Sequence, residues 1–180
     1  MKLNLGGNEQ FEGGEGSSPL VGFTHADIRK IEGVELVCDV STHVPVEDES
    51  VEEIRASHII EHIHPDKVDA AIGEWRRILI PSGLLRVYCP DAEKIAKAYT
   101  MGQITIERFS ALIFGAQSYE NQPGIEKSDD DLAELVNLHR AAYDKERLTI
   151  LLEMNGFKIV GNEPRENAYY FDLGVQGVKV

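Results

Sequence analysis

The fold is decided by residues 51–91, which read VEEIRASHIIEHIHPDKVDAAIGEWRRILIPSGLLRVYCPD. Val51–Ser57 predicts a β-strand. From Pro65 the apolar residues recur at helical spacing, at Val68, Ala71, Ile72, Trp75, Ile78 and Leu79. Pro65 suits a first helical turn, and Pro81-Ser82-Gly83 ends the helix. The apolar run Leu84–Cys89 then predicts the next strand, so this stretch indicates a strand, a helix and a second strand.

Further strands are predicted on both sides of this stretch. Before it lie three short apolar runs that end in glycine or aspartate, at Lys2–Leu5, Val21–Asp27 and Val34–Asp39. After it, helices are predicted at 91–102, 104–114, 131–143 and 144–156, and strands at Phe157–Val160 and Tyr169–Val180. Alternating strands and helices predict an α/β fold, with a mostly parallel sheet covered by helices on both faces. We expect one domain over residues 1–180, in which residues 103–143 form a helical insertion and possible substrate lid.

The composition argues against two classes of function. The chain has 31 acidic and 18 basic residues and a formal net charge of −13. It has no basic cluster beyond Arg76-Arg77 that could face the phosphates of a nucleic acid. No window holds the ~18 apolar residues that a membrane span requires, and the first residues show no signal-peptide pattern. We therefore expect a cytoplasmic protein that binds neither nucleic acid nor membrane.

The residues that end predicted strands are the candidates for a ligand site. In open parallel sheets ligands bind beyond the carboxyl ends of the strands. Gly6 and Gly7 follow the first strand and let backbone approach a ligand closely. Asp27 ends the second strand, at the spacing where a carboxylate takes ribose hydroxyls in nucleotide-binding folds. Asp39 ends the third and could accept from an adenine amino group, although either aspartate could instead cap a loop.

The order of these features resembles the class I S-adenosylmethionine-dependent methyltransferases, most closely the small-molecule branch that includes quinone methylases. The residues similar to that family are the glycine motif Leu3–Gly7, the acidic motif Ala26-Asp27, the fourth-strand signature Glu47–Ile54 followed by Ala56–His62, the helix-to-strand turn Trp75–Gly83, and the late helix with its Gly-Phe at Leu148–Phe157. The resemblance implies a Rossmann-like sheet of seven strands with the last one antiparallel. It also implies methyl transfer from S-adenosylmethionine to a small molecule, with cofactor contacts at Gly6, Gly7, Asp27, Asp39 and Ser57.

Two features depart from the family pattern and leave an alternative open. Asn4 stands where an acidic residue is usual, and only thirteen residues lie between Gly7 and Val21. A crossover helix with its loops needs a dozen or more residues, so a loop is expected in place of the first helix. The alternative function is a non-catalytic module of the same fold whose cofactor loop has degenerated.

The candidate catalytic residues are two histidines. His58 follows the fourth strand, where the transferred methyl group is expected, and an unperturbed histidine can act as a general base near neutral pH. His139, in the insertion, is the second candidate. Tyr119, Arg140 and Tyr143 are further candidates for contacting the acceptor, and a simple cover for the sheet is the alternative role of this segment.

The motif His58-Ile59-Ile60-Glu61-His62 also spells H-x-x-E-H, the inverted zinc-peptidase motif. That chemistry requires both histidines on one face of a long helix, together with a third ligand. A strand precedes the motif and Pro65 follows it, so little room is left for a helix. A zinc hydrolase is therefore the lesser alternative, and we expect no metal ligands and no stoichiometric zinc.

A homodimer is predicted from what the chain lacks. With no leading helix and no first helix, one face of the sheet near the first two strands is expected to lie uncovered. Both faces of a parallel sheet need burial. The loop at residues 8–20 is too poor in large apolar side chains to cover the face, so a second copy, related by a two-fold axis, is expected to do so.

Overall fold

A computed structural model describes residues 1–6, 20–115, 138–162 and 171–180. The seven strands are β1 Lys2–Leu5, β2 Thr24–Asp27, β3 Leu36–Val37, β4 Val51–Ser57, β5 Leu79–Pro90, β6 Phe157–Gly161 and β7 Asp172–Lys179. The helices are α1 Val68–Ile78, α2 Ala92–Thr100, α3 Ile106–Phe114 and α4 Lys145–Met154, with a 3-10 turn at Ile60–His62. Within these ranges no helix has both the length and the apolar character needed to cross a bilayer.

The strands form one sheet in the order β3-β2-β1-β4-β5-β7-β6. The pairs from β3 to β5 are parallel, whereas β7 lies antiparallel between β5 and β6. The predicted Rossmann-like α/β fold with an antiparallel last strand is confirmed. Because β1, β2, β3, β4 and β5 run the same way, their carboxyl ends share one edge of the sheet, and the candidate site residues lie there.

The segment 51–91 folds as its pattern predicts, with one difference at the second strand. Helix α1 buries Val68, Ala71, Ile72, Trp75 and Ile78, the apolar positions spaced for one helical face. Burying these side chains on the sheet stabilises the helix far more than its intrinsic propensity does. Strand β5 begins at Leu79 instead of Leu84, because Leu79 pairs with Val51 before the register shifts at a bulge.

The strands β2 and β3 are shorter than predicted. Residues 21–22 form a turn in which Gly22 has φ +87°, and only Thr24–Asp27 pairs with β1. Strand β3 is reduced to Leu36–Val37, because the chain turns again at Asp39, whose carbonyl accepts from the backbone N–H of Thr42. Residues 28–35 and 38–50 are described throughout and contain no helix.

The helix predicted at 131–143 is wrong for residues 138–143, which are not helical. The backbone N–H groups of Arg140 and Ala141 both donate to the carbonyl of Glu61, and Tyr143 forms a bridge with Asp91. These long-range bonds replace the bonds that a helix would make within itself. Residues 131–137 lie outside the described part of the chain, as do Gly7 and Tyr119.

One face of the sheet carries polar side chains where an apolar surface was expected. Asn4 lies opposite His25 on β2 and opposite Arg55 on β4, so the three side chains point to the same face. The amide of Asn4 is 3.1 Å from Nδ1 of His25 and accepts from Arg55 at 3.3 Å. All three residues are buried in the single chain. At these three positions the described residues form a buried polar cluster instead of the exposed apolar surface from which the homodimer was predicted.

Candidate active site

A cavity of about 510 Å³ opens at the carboxyl ends of β1, β2 and β4. This volume lies within the range of small-molecule sites. Among the residues that line it are Gly6, Asp27, Asp39, His58, His62 and Arg140. The structure therefore brings four of the predicted site residues, Gly6, Asp27, Asp39 and His58, to one cavity.

At the cavity wall, both the backbone conformation of Gly6 and a neighbouring side chain disfavour any residue other than glycine. Its φ is +81°, a conformation that disfavours any side chain, and its N–H donates to the carbonyl of Ala26 at 2.9 Å. A Cβ at this position would lie 1.9 Å from Cδ1 and Cγ1 of Ile59. Packing against Ile59 thus accounts for the glycine even before any ligand enters the cavity.

Asp27 lies at the cavity with both carboxylate oxygens engaged by Arg29. Oδ1 accepts from the backbone N–H and Nε of Arg29 at 2.8 and 3.0 Å, and Oδ2 accepts from Nη2 at 2.8 Å. Such a two-pronged pair is among the stronger charge-assisted contacts. A ribose hydroxyl that binds the Asp27 carboxylate would share it with Arg29 or displace one of these bonds.

Asp39 and Ser57 differ in their access to the cavity. Oδ1 of Asp39 accepts from the N–H and hydroxyl of Ser41 at 2.9 and 2.6 Å, which closes the turn after β3. Ser57, by contrast, is buried and is not among the described residues that line the cavity. The predicted cofactor contact at Ser57 is therefore not supported by its position.

His58 is held between two buried carboxylates. Its Nδ1 lies 3.0 Å from Oε1 of Glu61, and its Nε2 lies 3.3 Å from Oδ2 of Asp172. The residue has φ +52°, a left-handed conformation that a histidine rarely adopts. Burial lowers the pKa of His58, but the hydrogen bonds to Asp172 and Glu61 outweigh it and raise the pKa to about 10. At neutral pH His58 is an imidazolium with no lone pair to accept a proton.

His62 has the opposite character. Burial lowers the pKa of His62, so the ring is neutral at physiological pH. Its Nδ1 lies 3.0 Å from the carbonyl of Leu138. Because a carbonyl can only accept, Nδ1 carries the proton and Nε2 keeps its lone pair. The ring of His139 meets that of His62 edge-on, with 4.9 Å between their centroids.

The sequence did not single out His62 as a partner of His139. The H-x-x-E-H motif drew attention to His62 only as a zinc-peptidase ligand together with His58. The structure does not form that arrangement, because His62 ends a 3-10 turn of three residues and His58 binds Glu61 and Asp172 instead. Of the other acceptor candidates, Arg140 lines the cavity and Tyr143 is buried in the core.

The family comparison agrees with this geometry. The sequence model of a family described as a methyltransferase domain matches residues 12–87, somewhat less than half of the chain. The matched stretch includes the carboxyl ends of β2, β3 and β4 and continues into β5. No curated protein sequence matches the chain.

Several solved structures similar to this one are methyltransferases. One is 1,6-didemethyltoxoflavin-N1-methyltransferase from Burkholderia thailandensis, with its substrate and S-adenosylhomocysteine bound; the TM-score is 0.58 at 14% identity, over 99% of this chain and 71% of that one. This is the class I methyltransferase fold. An S-adenosylmethionine-dependent methyltransferase from Methanosarcina mazei matches with a TM-score of 0.58 at 13% identity, over 99% and 92% of the two chains. A possible histamine N-methyltransferase from Thermotoga maritima matches with a TM-score of 0.59 at 16% identity, over 99% of this chain and 81% of that one. At such low sequence identity, these structures are similar to this chain in fold alone.

Proposed function

We propose that this chain transfers a methyl group from S-adenosylmethionine to a small-molecule acceptor. The observation that carries the proposal is the meeting of Gly6, Asp27 and Asp39 at one cavity, at the carboxyl edge of a methyltransferase-type sheet. The family match and the bound S-adenosylhomocysteine of the Burkholderia thailandensis neighbour support the choice of cofactor. The excess of acidic over basic residues favours a neutral or cationic small molecule as the methyl acceptor.

The residues of the cavity fit the cofactor. Gly6 offers backbone without a side chain, Asp27 offers a carboxylate for ribose hydroxyls, and Oδ2 of Asp39 makes no hydrogen bond within the described residues. These groups would hold the adenosine half. When bound, S-adenosylmethionine supplies an electrophilic methyl group on sulfur. The chain contributes by holding the acceptor in line with that group and by keeping water out.

His58 is proposed as a positioning residue rather than as the base. Because it is protonated near neutral pH, it offsets one of the two negative charges of Glu61 and Asp172 and fixes the end of β4 against β7. If the acceptor is a hydroxyl, its proton would go to the neutral His62, whose ring meets that of His139, one of the two predicted catalytic residues. The Arg140 side chain lines the same cavity and is a candidate for orienting the acceptor.

Calorimetric titration with S-adenosylhomocysteine tests the proposal. The wild-type chain should bind one equivalent, and Asp27→Ala should weaken binding by about 1.5–3 kcal/mol, the range for losing a hydrogen bond to a charged group. The matched control is Asp66→Ala, which removes the same charge from an exposed position at the same cavity. Equal weakening in both variants would mean that Asp27 acts only through its charge, and no binding by the wild type would reject the proposal.

The second candidate is a non-catalytic module of the same fold, and one observation favours it. Arg29 occupies the carboxylate that the cofactor would need. Absence of S-adenosylhomocysteine binding, in a protein that is folded by circular dichroism, would select this candidate. The homodimer, the lid at 103–143 and the quinone-methylase branch stay predictions.

A further inference from the structure

Three side chains with metal-binding groups converge beside the cavity. One carboxylate oxygen of Glu61 and one ring nitrogen each of His62 and His139 all lie within 4.8 Å of one another. This set shares Glu61 and His62 with the H-x-x-E-H motif but replaces His58 by His139. It is therefore a different constellation from the zinc-peptidase arrangement.

Backbone contacts hold the two histidines in place. The carbonyl of Glu61 accepts from the N–H groups of Arg140 and Ala141 at 2.7 and 3.1 Å, which fixes the segment that carries His139. The N–H of His139 itself donates to the carbonyl of Phe114 at 3.1 Å. Nδ1 of His62 donates to the carbonyl of Leu138, a contact that metal-binding histidines commonly make with the nitrogen not bound to the metal. Nε2 of His62 is thereby left with its lone pair.

The Glu61 side chain gives a second, independent indication of a cation site. The residue is 1% exposed. Its Oε1 is fixed by His58, whereas its Oε2 has no hydrogen-bond partner within the described residues. A buried carboxylate oxygen without a partner costs free energy, and a cation would remove that cost.

We propose that Glu61, His62 and His139 bind a divalent transition-metal ion. Two imidazoles and one carboxylate are a donor set that zinc and its neighbours in the first transition series accept, and three protein ligands leave at least one position open. Donor atoms around such an ion are about 3.3 Å apart, given bonds of about 2.0–2.1 Å. Modest side-chain rotations that bring the three groups inward complete the site.

The location gives the ion a role, which rests on the proposed methyl transfer. His62 lines the cavity that holds the candidate cofactor residues. An acceptor hydroxyl or amine at the open position would be oriented and made more acidic by the ion. In that case the two histidines act as ligands, and the acceptor proton leaves to solvent rather than to His139.

Cobalt titration tests the site without any assay of activity. Tag-free protein is stripped with a chelator and titrated with Co²⁺, while visible absorption and heat are recorded. We expect one ion per chain, with the absorption bands of nitrogen-coordinated cobalt. His62→Ala and His139→Ala should each weaken binding about tenfold or more, since each removes one of three ligands. The matched control is His64→Ala, which removes a histidine 51% exposed in its side chain and outside the cluster.

Two results would overturn the metal site. One is no cobalt or zinc binding by the stripped wild type, and the other is an affinity that the His62 and His139 variants leave unchanged. Melting curves of each variant show whether it is folded, and His139→Asn serves as a milder change if His139→Ala is not. Titration with S-adenosylhomocysteine separates the two proposals: metal binding without nucleoside binding keeps the site and rejects the methyl-transfer role, and the reverse result rejects the site alone.

Discussion

Nε2 of His58, at the end of β4, lies 3.3 Å from Oδ2 of Asp172, the first residue of the antiparallel strand β7. The other ring nitrogen of His58 binds Glu61. The two carboxylates are 3% and 1% exposed, and the imidazolium offsets one of their two buried negative charges. This contact joins the end of the parallel half of the sheet to its last strand. His58 thus stabilises the edge of the sheet at which the cavity lies.

This arrangement predicts that stability falls as the pH rises above neutrality. The pKa of His58 is raised to about 10 in the folded chain, whereas an unfolded histidine titrates near about 6.5. Below the unfolded pKa both states are protonated and the full stabilisation is present. Above it only the folded chain keeps the proton, so the stabilisation declines until the folded pKa is passed. Melting temperatures measured between pH ~6.5 and ~8 should fall with pH in the wild type and less steeply in His58→Gln.

The measurement is kept below pH ~8 because a second group affects stability at higher pH. Burial raises the pKa of the Cys89 thiol, so its titration in the unfolded chain also lowers stability there. A wild-type melting temperature that is flat across that window would contradict the assignment of His58 as a buried imidazolium. His64→Ala, which alters an exposed histidine, should leave the slope unchanged.

Gly6→Ala should destabilise the fold more than a matched glycine substitution. Gly6 and Gly22 have nearly the same φ, +81° and +87°, so alanine costs about 1–2 kcal/mol at either position through the backbone alone. A Cβ at Gly6 also meets Ile59 at 1.9 Å, whereas a Cβ at Gly22 meets nothing within 4 Å. The clash should add about 1–3 kcal/mol at Gly6. Denaturant unfolding of both variants measures the difference, and equal losses would refute the contact with Ile59.

Arg29→Ala should lower the melting temperature of the ligand-free chain but increase the rise in melting temperature that S-adenosylhomocysteine produces. Without Arg29 the buried Asp27 carboxylate loses its ion-pair partner, so the melting temperature without ligand should fall. The carboxylate then no longer has to break that pair to accept a ribose, so S-adenosylhomocysteine should raise the melting temperature by more than in the wild type. A smaller rise would show that Arg29 assists binding and does not compete with it.

The predicted homodimer can be tested at the β2–β3 edge of the sheet. Val37, on the edge strand β3, is 52% exposed, and a second copy could bury it. Light scattering should give twice the chain mass of 20.0 kDa, and Val37→Lys should shift the protein toward the monomer. A mass of 20.0 kDa for the wild type at micromolar concentration would contradict the dimer.

The sequence predicted those strands and helices that are determined by residues close together in the chain. The apolar spacing that ends in Trp75 and Ile78 predicted α1, and the helices predicted at 91–102 and 144–156 do form, with Asp91 and Asp144 as their N-caps. The mostly parallel sheet with its antiparallel last strand follows from the alternation of strands and helices together with the family resemblance. The helices and their caps depend on residues within a few positions of one another.

Features that depend on distant partners were not predictable. The segment 138–143 was predicted as a helix because its own pattern allows one, but its N–H groups bond to Glu61 instead. The same bonds bring His139 to His62, a pairing that no spacing in the sequence indicates. The raised pKa of His58 likewise depends on Asp172, at the far end of the chain.

A crystal structure with S-adenosylhomocysteine tests directly whether the cavity is the cofactor site. We expect the nucleoside in the cavity at the ends of β1, β2 and β4, with its ribose hydroxyls bonded to Asp27 and Arg29 turned away from that carboxylate. Its sulfur should point toward His58 and His62. An empty cavity in crystals grown with millimolar ligand, or a nucleoside bound elsewhere with the Asp27–Arg29 pair intact, would contradict the proposed cofactor site.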